Sequence, residues 1–171
     1  MKIAKALKLK NRLAGEIARL KGIAQTKNVT EITQKPVYDV KNIVTAQLPF
    51  VIGNLVTVKT AVAMSNAGVT QENNTQTISS SAFWNIFMMA ELKGMIETLR
   101  AIDTKDGTFN SAHGRFGEIA TATPVTYVAS LKQADIDSLV AKYEADIDSL
   151  QDLLDTHNAT AEWTLLDKIT I

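Results

Sequence analysis

Apolar residues recur at alternating steps of three and four in three long stretches of the chain. One stripe runs Val37, Lys41, Val44, Leu48, Val51, Leu55, Val58, Val62. A second runs Ile78, Ala82, Asn85, Met89, Leu92, Ile96, Leu99, and a third Ile136, Val140, Tyr143, Ile147, Leu150, Leu154, His157. This spacing puts each set on one side of a helix and suits it to a long, narrow helix–helix seam. It says how the chain folds and touches partners, and it names no reaction.

The boundaries follow from local chemistry. A first helix over Lys2–Gln25 carries Leu13, Ile17, Leu20 and Ala24, reaching back to Ala6 and Ile3. Gly15 and Gly22 each weaken it by about 1 kcal/mol relative to alanine, which predicts that they mark a tight helix crossing. Thr26–Lys35 turns polar and β-branched and reads as a loop or short edge strand. A second helix over Asp39–Asn66 contains Pro49, whose missing N–H predicts a kink with the stripe still in phase. Asn66 or Gly68 closes it. A polar loop over 69–77 leads to a third helix over Ile78–Asp103, with Thr77 as N-cap and Ser79-Ser80-Ser81 marking its start. The second and third helices pair as an antiparallel hairpin.

Lys105-Asp106-Gly107 reads as a turn, and residues 104–117, with three glycines, as the most flexible part of the chain. Glu118–Val128, around Pro124, reads as extended. A fourth helix over Leu131–His157 contains an identical repeat, Ala134-Asp135-Ile136-Asp137-Ser138-Leu139 and Ala145-Asp146-Ile147-Asp148-Ser149-Leu150. Eleven residues are close to three turns, so both copies present the same face. Such a helix is about 40 Å long, so the extended pieces before and after it lie at opposite ends. The expected fold is mainly α: a long antiparallel helical hairpin with two additional helices and short extended or β segments. It is read as one domain over 1–171, with a flexible loop and extended segment at 104–128 and an apolar tail at 159–171.

Composition narrows the function. The 171 residues, 46% apolar, are enough for a real core, and the absence of cysteine removes disulfides, thiolate metal sites and a cysteine nucleophile. Met1–Lys10 carries four lysines and no apolar core, which predicts no secretory signal and a cytoplasmic location, or a virion for a phage protein. The net charge is zero but segregated. Residues 1–35 hold nine Lys or Arg against Glu16 and Glu31, whereas residues 130–171 hold three lysines against nine acids. A basic front suits nucleic acid or an anionic membrane. Two opposite blocks are more economically explained by each other, so the first helix is expected to lie against, or head-to-tail with, the last. Nucleic acid is further disfavoured by the lack of interleaved aromatics in the first helix.

Candidate chemistry is sparse. Of the two histidines, His113 sits in the Gly-rich loop beside Arg115 and reads as solvated, with a loop enzyme using this pair as the least favoured reading. His157 falls at the end of the third stripe, on the fourth helix, and reads as a cap or as seam-end packing. There is no Glu-x-x-His pair for a di-iron bundle and no His-Glu-x-x-His zinc motif. The Asp pairs 135/137 and 146/148 lack the glycine and later glutamate of a calcium loop and read as a solvated acidic face. Gly114-Arg115-Phe116-Gly117 lacks the setting and ending of a phosphate loop. No metal, cofactor or catalytic residue is expected. Val44–Val58 has no charge; it is short for a membrane span and polar-interrupted, and reads as a core helix. The cluster Phe83, Trp84, Phe87, Met88, Met89 covers more of its helix than one seam needs; core packing is its default reading and a second, subunit-to-subunit interface the alternative. Phe83, Trp84, Phe87 and Met88, with Trp163, Leu165, Ile169 and Ile171 of the tail, are the candidate interface residues.

Several motifs resemble a family of small bacterial helical proteins described as septicolysin-like. They are the opening Met1-Lys2-Ile3-Ala4-Lys5-Ala6-Leu7, the central helix ending in an Asn-containing turn, and Leu150-Gln151 followed by Asn158-Ala159-Thr160. The late tryptophan that this family places directly after that Asn stands here at Trp163. The resemblance implies membrane activity and carries over no site residues. The leading expectation is a non-enzymatic structural protein acting through self-association or packing in a multi-subunit assembly such as a phage virion. The alternative is a membrane-active, pore-forming helical protein.

Overall fold

The structure is a computed structural model in which residues 2–68, 78–112 and 122–160 are described. Four helices make up most of it: α1 (Ile3–Lys27), α2 (Val40–Asn66), α3 (Ala82–Arg100) and α4 (Gln133–Thr160). Strands β1 (Val29–Glu31), β2 (Gly107–Ala112) and β3 (Ala122–Ala129) form one antiparallel sheet in the order β1-β3-β2. The fold is mainly α with short β segments, as the periodicity indicates.

One buried side chain orders these elements. Asn28, the residue after α1, is 1% exposed. Its amide nitrogen donates to the carbonyls of Asp103 (2.8 Å) and Leu131 (2.9 Å), and its amide oxygen accepts from the Leu131 N–H (2.8 Å). Its own carbonyl accepts from Ser130 N–H at 2.9 Å. The ends of α1 and α3 and the start of α4 therefore meet at one point. Lys41 reaches Asp135 at 3.5 Å, which brings the start of α2 to the same end. The helices thus alternate in direction, and the sheet sits where their junctions gather. α1 packs on α2, α2 on α3 and α3 on α4.

α1 buries Ala6, Ile17, Leu20 and Ala24 of its expected stripe, while Leu13 is half-buried and Ile3, at the start of the helix, is exposed. The tight crossing expected at Gly15 and Gly22 is absent, since a methyl group added at either meets nothing within 4 Å. The close approach is at Gly94 on α3, where an added Cβ would lie 3.4 Å from Lys21 Nζ. That ammonium donates to the Gly94 carbonyl at 2.8 Å, and Thr98 Oγ1 donates to the same oxygen at 2.7 Å. Burial holds the Lys21 pKa below the usual lysine value, against the opposing pull of Glu91 and Glu97.

α2 departs from a regular helix ahead of Pro49. Residues Ile43–Gln47 form a π-helical stretch, and Leu48 N–H bonds to Ile43. A proline offers no N–H to the carbonyl four residues back, so widening the preceding turn is one way to keep the chain helical. The buried set is Val40, Ile43, Val44, Leu48, Ile52, Leu55, Val56, Thr60 and Met64. Only Val44, Leu48 and Leu55 of the expected stripe belong to it; Val37 is 85% exposed and Lys41 is exposed. The reason is that α2 serves two neighbours, α1 and α3, so no single narrow stripe describes it. Gly68 closes it with φ of +71°, the left-handed conformation that favours glycine.

α3 starts later than expected. Ile78–Ser80 is a 3₁₀ turn, and Ser81 caps the helix by accepting from Trp84 N–H at 3.2 Å. The proposed cap Thr77 lies outside the described residues. Asn85, Met89, Leu92, Ile96 and Leu99 are buried as expected, and Met95 and Thr98 join them because α4 covers a second face. In α4, Ile136 and Tyr143 are buried while His157 is exposed, so His157 does not pack at the seam end.

The segment expected to be the most flexible is partly ordered. Residues 107–112 form β2, held by Thr108 Oγ1 at 2.9 Å from Thr126 Oγ1 and by Lys105 Nζ, 4.5 and 3.9 Å from the ring centroids of Phe109 and Tyr127. Residues 113–117 lie outside the described residues. β1 is an edge strand, as one reading of Thr26–Lys35 had it. It pairs with β3 only over 127–129, so Pro124 sits where β3 has no ladder partner on that side.

Two outcomes are expected in urea unfolding followed by circular dichroism. Asn28→Ala leaves two carbonyls and an N–H without their partner and should cost about 2–4 kcal/mol, lowering the midpoint. Thr60 Oγ1 is buried without a hydrogen-bond partner among the described residues. Thr60→Val keeps the shape, removes that polar group and should raise stability by about 1 kcal/mol.

Candidate interaction surface

The surface starts from a shortage of charge. Between Lys41 and Lys59 no residue of α2 is ionisable. α2 is long and apolar enough to cross a membrane by length and composition, and only 33% of its most apolar stretch is buried. The uncovered part presents Ala46, Gln47, Phe50, Asn54 and Thr57, with Phe50 72% exposed. Phe50 is the large apolar side chain of this set, in which Gln47, Asn54 and Thr57 are uncharged but polar. Lys59, the cation that ends the run, is tied down. Its Nζ lies 2.6 Å from Glu91 Oε1 and 5.8 Å from the Phe87 ring centroid.

Beside this face, α2, α3 and α4 enclose an open groove of about 520 Å3. Trp84, Met88, Leu92 and Met95 of α3 face Leu139 and Leu150 of α4, with Thr45 and Pro49 from α2 at one side. The groove's charged side chains, Lys142 and Asp146, come from α4, which also supplies Ser149 and Tyr143. Burial, and then the nearby Asp146, raise the Tyr143 pKa above the usual phenol value, so its hydroxyl is protonated at neutral pH. Its walls are mainly carbon, and the two thioethers make it adaptable in shape rather than reactive.

The candidate interface residues fall into three groups. Trp84 and Met88 line the groove. Phe83 is 38% exposed on the surface beside Ile86, and Phe87 is half-buried beneath Lys59. Trp163, Leu165, Ile169 and Ile171 lie outside the described residues. Sequence reasoning missed Phe50, although the charge-free run around it was visible. It also missed Lys142 and Asp146, which carry no signal until α4 is placed against α3.

The charged blocks do not meet as expected. α1 and α4 share no packed seam. Lys2, Lys5, Lys8, Lys10 and Arg12 form no ion pair among the described residues, while α1's one acid, Glu16, is taken by Arg19 at 2.6 Å. The reason lies in the order of packing: α2 and α3 stand between the basic helix and the acidic one.

Among the described residues no three His, Cys, Asp or Glu side chains gather to hold a metal ion. Of the repeated Asp pairs, Asp135 accepts from the Lys132 N–H at 3.1 Å and pairs with Lys41, so it acts at the start of α4. His113 lies outside the described residues. No family model, no curated protein and no solved structure matches the chain.

The Lys59–Glu91 pair is the best-shielded charge pair on this surface, with side chains 28% and 16% exposed. Glu91→Gln should cost about 1–2 kcal/mol in urea unfolding, with the mutant less sensitive to added salt than the parent.

Proposed function

We propose that the chain is a non-enzymatic structural protein that works by packing with copies of itself, or with other subunits, in a multi-chain assembly such as a phage virion. The observation that carries this reading is the uncovered, charge-free face of α2 around Phe50. A third of the residues in its most apolar stretch are fully buried and others are partly covered, and a neighbour seated on the Phe50 side adds to that burial. The adjoining groove and the exposed Phe83 and Ile86 extend the same apolar character across α3. A cytoplasmic or virion location belongs to the same proposal.

The membrane-active reading rests on the same helix, since α2 has the length and composition to cross a bilayer. Vesicles separate the two. An assembly subunit leaves dye-loaded liposomes intact, and a pore-former empties them.

The test is native mass by light scattering across a range of concentrations. The parent should exceed one chain, and Phe50→Lys should shift it toward the monomer with the helical signal unchanged. A parent that stays monomeric at every concentration overturns the proposal.

A further inference from the structure

The two charge blocks are kept apart within one chain, and they match each other in detail. On α1, Lys5, Lys8 and Arg12 are spaced by three and then four residues; all three are exposed, and together with Leu9 they line one shallow hollow of about 320 Å3. On α4, Asp148, Asp152 and Asp155 are spaced by four and then three, and all three are exposed. Residues at such spacings form a row along one face of a helix. The successive rises are about 4.5 and 6 Å along α1 and the same, in reverse order, along α4.

Antiparallel alignment is the register in which all three rungs fit, Lys5 to Asp155, Lys8 to Asp152 and Arg12 to Asp148. Among the described residues none of the six has a charged partner of its own, and on the acidic row the Gln151 amide donates to Asp155 at 2.8 Å. Nothing opposes either row locally. Lys2 to Arg12 contains five cations and no acid, and Glu144 to Asp155 five acids and no lysine or arginine. From Gln151 to Thr160 all residues but the half-buried Leu154 are exposed.

We infer that the basic row of α1 pairs antiparallel with the acidic row of α4 on a second copy of this chain. The inference rests on the self-association proposed above and supplies its orientation. Exposed ion pairs are individually weak, so the ladder sets which way two copies meet and how fast, while Phe50 on the charge-free face of α2 and the groove supply apolar contact. Because donor and acceptor rows lie on different helices, two copies can close the contact mutually around a two-fold axis, or pass it on along a chain.

Charge reversal with mixing tests it on the full chain. One variant carries Lys5→Glu, Lys8→Glu and Arg12→Glu; the other carries Asp148→Lys, Asp152→Lys and Asp155→Lys. Each alone sets like charges against like, and its self-association by light scattering should weaken about tenfold or more at low salt. An equimolar mixture of the two should recover the parent's mass, because each row again faces its opposite. The parent's own association should weaken on raising salt to about 0.5 M, where screening acts over roughly 4 Å. If both variants keep the parent's mass, or if mixing restores nothing, the ladder is wrong; a loss on Phe50→Lys in the same assay would then leave the self-association itself standing. If reversal of the basic row alone matters, that row faces some other anion and the ladder again falls. A parent that is monomeric at low salt removes both proposals together.

Discussion

The fold depends on a single buried amide. Asn28 takes both of its N–H donors to chain segments about 75 and 103 residues away, and returns an accepted bond from the second of them. An amide in an apolar setting is costly unless its polar atoms are met, and each of these partners is itself a backbone group at an element junction that would otherwise go unpaired. The arrangement is therefore mutual. Asn28 needs the ends of α3 and β3 to be in place, and they need Asn28. Apolar burial drives the helices together, but it is indifferent to small slides along a seam; three directional bonds at one point fix where each helix begins and ends.

From that fixed point the character of each helix follows from how many neighbours it has. α2 and α3 are central in the order of packing and bury wide faces, whereas α1 and α4 are flanking and bury narrower ones. The charged residues segregate accordingly. Lysine and aspartate crowd the two flanking helices, and the central α2 is almost free of charge. α2 nonetheless keeps an exposed side along its most apolar stretch, of which 33% is fully buried. Its composition is that of an interior helix, while its position leaves one side facing outward. The proposed self-association takes that mismatch as its starting point.

Much of the architecture was legible from periodicity. The four helices, the edge position of the first strand and the extended run before α4 all follow from residue pattern, because burial on one face imposes a period that polar residues on the other face make visible. The failures have a common cause. The stripe written for α2 was too narrow, and Gly15 and Gly22 were given a crossing that lies at Gly94, because sequence shows how apolar a face is but not how many helices press on it. The ordered strand at 107–112 was hidden by glycine content, since the contact that ties it down, Lys105 over Tyr127, joins residues about 20 apart. The expected meeting of the basic and acidic helices failed for a topological reason, as two other helices lie between them. Asn28 had no signal at all; a lone asparagine after a helix reads as a cap, and only its distant partners show otherwise. Of the interface candidates, Trp84 and Met88 were placed by the aromatic patch, while the groove they line needed α4 to complete it.

The duplicated hexapeptide of α4 shows how far context outweighs identity. Ile136 in the first copy is sealed in the core, and Asp135 anchors the helix start; in the second, Ile147 is half-covered and Asp146 opens onto the groove. Six matching letters thus carry unequal constraint. Drift in the first copy is opposed by the integrity of the whole bundle, whereas drift in the second is opposed only by whatever comes to rest against that side of α4.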